Sequence, residues 1–188
     1  MTEKIKMGNN YLKERIYYLE KCDNIPIVDS PLNTKAVANY FLSLSNFNID
    51  LMQLKNLLFF SYGYYLAIKG DILFNSYIEA WEYGPIIPVI HYEFVSEFGN
   101  DKINRFAIDY NGPLPFIPFI YDKNKTSFFN KIWEVFGGFT GIQLSNMTHG
   151  NDTPWNITWT KFNKKSIINN DLIKEYYLKQ LRKKNAGS

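Results

Sequence analysis

A run of apolar residues from Leu51 to Lys69, bounded by Asp50 and Gly70, constrains this chain more than any other feature. Asp50 can accept hydrogen bonds from the free amides of a first helical turn, and Gly70 can take the left-handed conformation that closes a last one. Within the run, Leu51, Leu54, Leu58, Tyr62 and Tyr65 recur at helical spacing, while Leu57, Phe60, Tyr64 and Ile68 fill the adjoining face. The polar interruptions are Gln53, Lys55, Asn56 and Ser61. A helix apolar around most of its circumference must be covered from several directions. Residues 51–69 are therefore expected to be the buried central helix of a mainly α-helical, single compact domain. The uncharged stretch Asn56 to Ile68 has 13 residues, short of the ~20 that a membrane-spanning helix needs.

The rest of the chain supplies the cover. Val37, Tyr40, Phe41 and Leu44 define a helix that Asn33 or Thr34 can cap, and its short link to Asp50 makes the two helices neighbours. Asp71-Ile-Leu-Phe74 and Tyr77-Ile-Glu-Ala-Trp81 are short and rich in β formers, which leaves room for a small hairpin over 71–82. Further helices are expected from Val89 to Gly99, from Ser127 to Gly137, over Thr140 to Thr148 and from Asp171 to Lys184. The prolines at 113, 115 and 118 mark a surface loop between them. Residues 1–30, with an amphipathic helix over 9–22 and a proline-containing connector, read as an N-terminal extension to a domain spanning 31–184.

Composition excludes several classes. With 188 residues, 46% of them hydrophobic and 18% aromatic, the chain is globular rather than disordered. Fourteen tyrosines are more than a core of this size absorbs, so several should face a partner. The single Cys22 cannot form an internal disulfide and the N-terminus carries no apolar signal segment, so a cytoplasmic location is expected. Charge is split along the chain. From Lys161 to Lys184 eight basic residues face Asp171 and Glu175, whereas Gly70 to Asp101 holds six acids and no Lys or Arg. The basic end raises nucleic-acid binding as an alternative function, but arginine, the usual base reader, occurs only at positions 15, 105 and 182.

No pattern of residues demands catalysis. His149, near Asp152, lacks an activated nucleophile and is better read as packing on Trp155 at a corner. Glu79 and Glu82 flank Trp81, but odd spacing on an extended segment separates their side chains. Two histidines 58 positions apart and one cysteine make no zinc site, and no phosphate-binding loop is present. Neither enzyme activity nor a metal or cofactor is therefore expected. Lys55, isolated among Leu and Phe, should pair with Glu79 or Glu82 and tie the central helix to the Trp81 segment. Gly84 and Pro85 would turn the chain after it.

Two stretches carry a resemblance. Leu54-Lys-Asn-Leu-Leu-Phe-Phe60, Tyr64-Tyr-Leu-Ala67 with Gly70, Leu73-Phe74 and Ile78-Glu-Ala-Trp-Glu-Tyr-Gly-Pro85 with Pro88 form the first; Leu144-Ser-Asn-Met-Thr-His149 with Pro154-Trp155 forms the second. In order and spacing they resemble the Panacea domain family, which includes SocA-like antitoxins and phage-associated GepA proteins. The resemblance implies a type II antitoxin that neutralises a protein toxin encoded by an adjacent gene. It also implies a capacity to act as an adaptor to an AAA+ protease, and it makes a phage or prophage accessory role the alternative. Glu79, Trp81, Glu82 and Tyr83 are the candidate toxin-binding residues. Lys55, Gly84, Pro85, Thr148, His149, Pro154 and Trp155 are the motif residues expected to shape that surface.

Overall fold

The computed structural model describes residues 31–182; the expected 1–30 extension lies outside them. Helix α1 (Thr34–Leu44) starts where Asn33 Oδ1 accepts from the Lys35 and Ala36 amides. Helix α2 (Leu51–Lys69) has both of its expected ends. Asp50 Oδ1 accepts from the Gln53 amide at 2.7 Å, and Gly70, at φ 78°, returns its N–H to Leu66. Leu51, Leu54, Leu57, Leu58, Phe60, Tyr62, Tyr64 and Tyr65 are all buried. Five helices, α1, α3 (Pro88–Phe98), α4 (Lys123–Phe136), α5 (Gly141–Thr148) and α7 (Asn170–Arg182), pack on α2, which explains a helix without a polar face. At Gly63 α7 comes close enough that a Cβ would lie 2.1 Å from the Tyr177 ring. Tyr177 is itself buried, with its ring 4.7 Å from that of Tyr64 and 5.9 Å from that of Phe59.

A two-stranded antiparallel sheet joins α2 to α3. Strand β1 (Glu79–Trp81) pairs with β2 (Gly84–Ile86) in the register Glu79 to Ile86 and Trp81 to Gly84. The hairpin therefore lies later than the 71–74 and 77–81 pairing expected from β propensity. The reversal needs a positive φ, and Gly84, at 113°, supplies it in place of Glu82 or Tyr83. Phe74 instead bridges Leu32, whose N–H donates to Leu73. The free edge of β1 is also taken. Ala80 N–H donates to Ser166, while Lys165 and Ile168 N–H donate to Ala80 and Ile78, so residues 165–168 run beside β1.

Elsewhere the helices follow their signals, with α4 starting one turn before Ser127 because the Asp122 carbonyl already accepts from Lys125 and Thr126. A capping box of Thr140 and Gln143 opens α5, and Thr153 caps α6 (Pro154–Lys161). Asn39, fully buried on α1, holds the long 99–122 connection: its amide donates to the Ala107 and Pro118 carbonyls and its oxygen accepts from the Ala107 amide. Among the described residues no helix is long and apolar enough to cross a membrane.

The acids of the 70–101 stretch are partly neutralised inside the fold. Glu93 bonds Lys35 at 2.9 Å and Arg105 at 2.8 Å, and Arg105 also reaches Glu97. Burial alone would raise the Glu93 carboxyl, but hydrogen bonds from Lys35, Arg105 and the Ile108 amide outweigh it and hold it below its ordinary value. Asp109 is lowered chiefly by the amide of Asn33, against burial. Both carboxylates thus release protons more readily folded than unfolded. Their contribution is complete above the unfolded carboxyl range and is lost as pH falls through the lower folded values. Thermal unfolding followed by circular dichroism should show a melting temperature that falls from about pH 5 downward, with a shallower fall in Glu93→Gln.

Candidate functional site

Both resemblance-bearing stretches meet at the hairpin. Trp155, on α6 and 4% exposed, donates its indole N–H to the backbone oxygen of Trp81 at 2.7 Å. His149 ends α5 with its ring 4.0 Å from that of Trp155 and its Nδ1 2.6 Å from the Ser145 carbonyl. A carbonyl only accepts, so His149 Nδ1 carries the hydrogen. Thr153 donates to the Thr148 carbonyl while capping α6, and Pro154 occupies the first turn, where its missing N–H costs nothing. Ser145 Oγ donates to the Tyr83 carbonyl at 3.3 Å, and Thr148 Oγ1 lies 3.4 Å from where a Cβ on Gly84 would be. Thr148, His149, Pro154 and Trp155 are thus a bracket under Gly84 and Pro85. The expected packing of His149 on Trp155 holds, and no hydrogen bond joins His149 to Asp152.

The other side of the hairpin faces outward. Glu82 and Tyr83 occupy the turn, with Tyr83 71% exposed. Glu79 Oε2 accepts from the Trp81 indole N–H at 2.8 Å and sets the ring's direction. Tyr92 of α3, largely exposed, stands 6.3 Å from Trp81, and the His91 ring 5.0 Å from it. Beside them lies a cavity of about 220 Å³. Trp81, Ile86, His91 and Trp159 form its walls, and Lys55, Lys164, Lys165, Glu82 and Tyr83 complete it. Lys165 Nζ sits 4.3 Å from the Trp81 ring centre and Lys164 Nζ 5.8 Å from that of Trp159, which stacks on Trp155.

Lys55 is not paired as expected. The ion pairs among the described residues join Lys35 and Arg105 to Glu93 and Glu97, and neither Glu79 nor Glu82 reaches Lys55. Glu79 is engaged by the Trp81 indole on its own strand, and Glu82 is carried out to solvent by the turn. Burial lowers the Lys55 ammonium to about 8, partly opposed by Asp50. His91 is lowered by burial first and then by Lys55 and Lys165, and its Nδ1 is buried without a hydrogen-bond partner. It therefore stays neutral at neutral pH.

Four residues of this face, His91, Trp159, Lys164 and Lys165, had not been singled out from the sequence. The basic 161–184 stretch signalled the lysines only collectively. What places them over Trp81 is the pairing of 165–168 with β1, a contact between residues more than eighty positions apart that no local pattern announces. Among the described residues no group of three His, Cys, Asp or Glu side chains could hold a metal ion.

Residues 54–156 match the family described as "Antitoxin SocA-like, Panacea domain". The chain is also similar to "Antitoxin SocA" of Caulobacter vibrioides (strain NA1000 / CB15N), at 28% identity over 140 residues, covering 70% of this chain and 74% of that one. No solved structure gives a significant match.

Proposed function

We propose, for a chain that belongs to the SocA-like antitoxin, Panacea domain family, that it neutralises a protein toxin by direct binding through the outer face of the 79–86 hairpin. The supporting observation is that both family stretches converge on this hairpin, one forming it and the other bracketing it through the Trp155 to Trp81 hydrogen bond. The bracket holds a turn whose Tyr83 side chain is 71% exposed beside Trp81 and Tyr92. Rigid aromatic groups on a supported element are the usual energetic centre of a protein interface. Delivery of the bound toxin to an AAA+ protease is a further part of this reading, and no catalytic step belongs to it. The nucleic-acid alternative has less support, because Lys164 and Lys165 are turned toward indoles and Ile173 and Tyr177 of α7 are buried against the core.

Co-expression with the product of the neighbouring gene tests this directly. The neighbour should be toxic alone, harmless with this chain, and recovered with it as a stable complex. Tyr83→Ala should weaken that complex at least tenfold while shifting stability by no more than about 0.5 kcal/mol, as surface replacements do. A neighbour that stays toxic beside the wild-type chain overturns the antitoxin reading.

A further inference from the structure

Three lysines and one acid line the cavity beside the hairpin. Lys55 enters from α2, and Lys164 and Lys165 from the segment that runs along β1. None of these ammonium groups has a carboxylate within 4.0 Å among the described residues. Folded proteins rarely leave a half-buried cation without a counter-charge. Here Lys55 is such a cation, and the exposed Lys164 and Lys165 bring two more ammonium groups to the same cavity, with Glu82 as the lining acid and His91 neutral. The backbone of Lys165 is fixed at a left-handed φ of 66°, uncommon for a lysine, and its N–H donates to Ala80. The cavity, at about 220 Å³, is smaller than the roughly 300–1,000 Å³ of pockets that enclose whole small molecules. It suits one side chain.

We propose that this cavity receives the carboxylate side chain of an Asp or Glu from an acidic segment of a partner protein, with the carboxylate between the three lysines and its methylene stem against Trp81 and Trp159. The surrounding exposed aromatics, Tyr83 and Tyr92, are the contacts such a segment would make on either side. The proposal rests on reading this face as a protein-binding surface and adds the charge of what binds.

Nuclear magnetic resonance of the ¹⁵N-labelled full chain separates the possibilities, because each of its four tryptophans gives one indole N–H signal. The probes are the blocked tripeptide acetyl-Gly-Glu-Gly-amide, its Gln counterpart and sodium phosphate. The Glu peptide should move the Trp81 and Trp159 signals and leave that of Trp133, on α4, in place. The Gln peptide should move none. Lys55→Met with Lys165→Met should weaken the Glu peptide about tenfold or more, and Glu82→Gln should strengthen it. Equal shifts with Gln, no shift with Glu, or indifference to the lysine replacements would each overturn the proposal. So would phosphate binding more tightly than the Glu peptide while the toxin complex survives the double replacement, which would make this a free-anion site. If the wild-type chain binds no toxin, the antitoxin reading fails, and the peptide result still decides the chemistry of the cavity.

Discussion

Replacing Lys55 by methionine is expected to stabilise the protein. An ammonium whose folded pKa lies at about 8, against an ordinary 10.5, is held in a place that disfavours its charge. Each unit of that shift corresponds to about 1.4 kcal/mol, so the charged form opposes folding by up to about 3 kcal/mol. The sign follows from linkage: between the folded and unfolded values the unfolded chain binds more protons, so stability rises with pH. The penalty is present in full below about pH 8 and disappears toward pH 10.5. Methionine keeps most of the stem and removes the charge. At pH 7 the variant should gain about 1–3 kcal/mol, and at roughly 2–4 °C per kcal/mol for a chain of this size its melting temperature should rise by several degrees. The gap between wild type and variant should close as pH rises past 9. Had Lys55 been paired with Glu79 or Glu82, the same change would cost about 3–5 kcal/mol, so a drop in melting temperature would mean that a counter-charge has been missed. A stabilised variant that binds toxin more weakly would show a cation kept for its function at the expense of stability.

The opposite sign and a larger effect are expected at Trp155. Its ring is 4% exposed, stacked 5.8 Å from Trp159 and 4.0 Å from His149, and its N–H meets the Trp81 carbonyl at 2.7 Å. Trp155→Ala removes the packing and the donor together, a loss of about 3–5 kcal/mol by comparison with other buried aromatics. The melting temperature should fall by roughly 10 °C. Trp155→Phe separates the two contributions. It keeps much of the ring but leaves a backbone oxygen of the hairpin without its partner, at about 1–3 kcal/mol. Both should lose toxin binding, since the hairpin loses its bracket, and the indole signal of Trp81 should broaden or move in both. A Trp155→Phe variant that binds toxin normally would show that the hairpin is held by β pairing alone.

The parts of this structure that could be read from the residues are those fixed by neighbours in the chain. Asp50 and Gly70 each act within one helical turn, so the limits of α2 were legible, as were the corner at His149 and Trp155 and the end of α3 at Gly99. The hairpin was displaced because propensity weighs Ile72, Phe74 and Tyr77 as β formers, whereas the decisive element is one positive φ that only Gly84 provides at low cost. Lys55 is expected to meet Glu79 or Glu82 because a cation isolated among Leu and Phe calls for a counter-charge. The structure gives Glu79 to the Trp81 indole instead, a choice made by side-chain direction on a strand. Asn39 looked like any polar residue on an amphipathic helix, and its three bonds to the 107–118 segment depend on a loop that folds back from far along the chain.

Tyr177 against Gly63 has a consequence in time. Synthesis proceeds from the N-terminus, so α2 is complete more than a hundred residues before the ring that covers its middle is made. The notch at Gly63, with Phe59 and Tyr64 beside it, lacks its Tyr177 cover throughout that interval. The segment that closes β1 leaves the ribosome just before α7, so the hairpin edge and the central helix are covered nearly together. A chain interrupted anywhere before residue 170 would lack the Tyr177 ring and leave this aromatic surface without its cover.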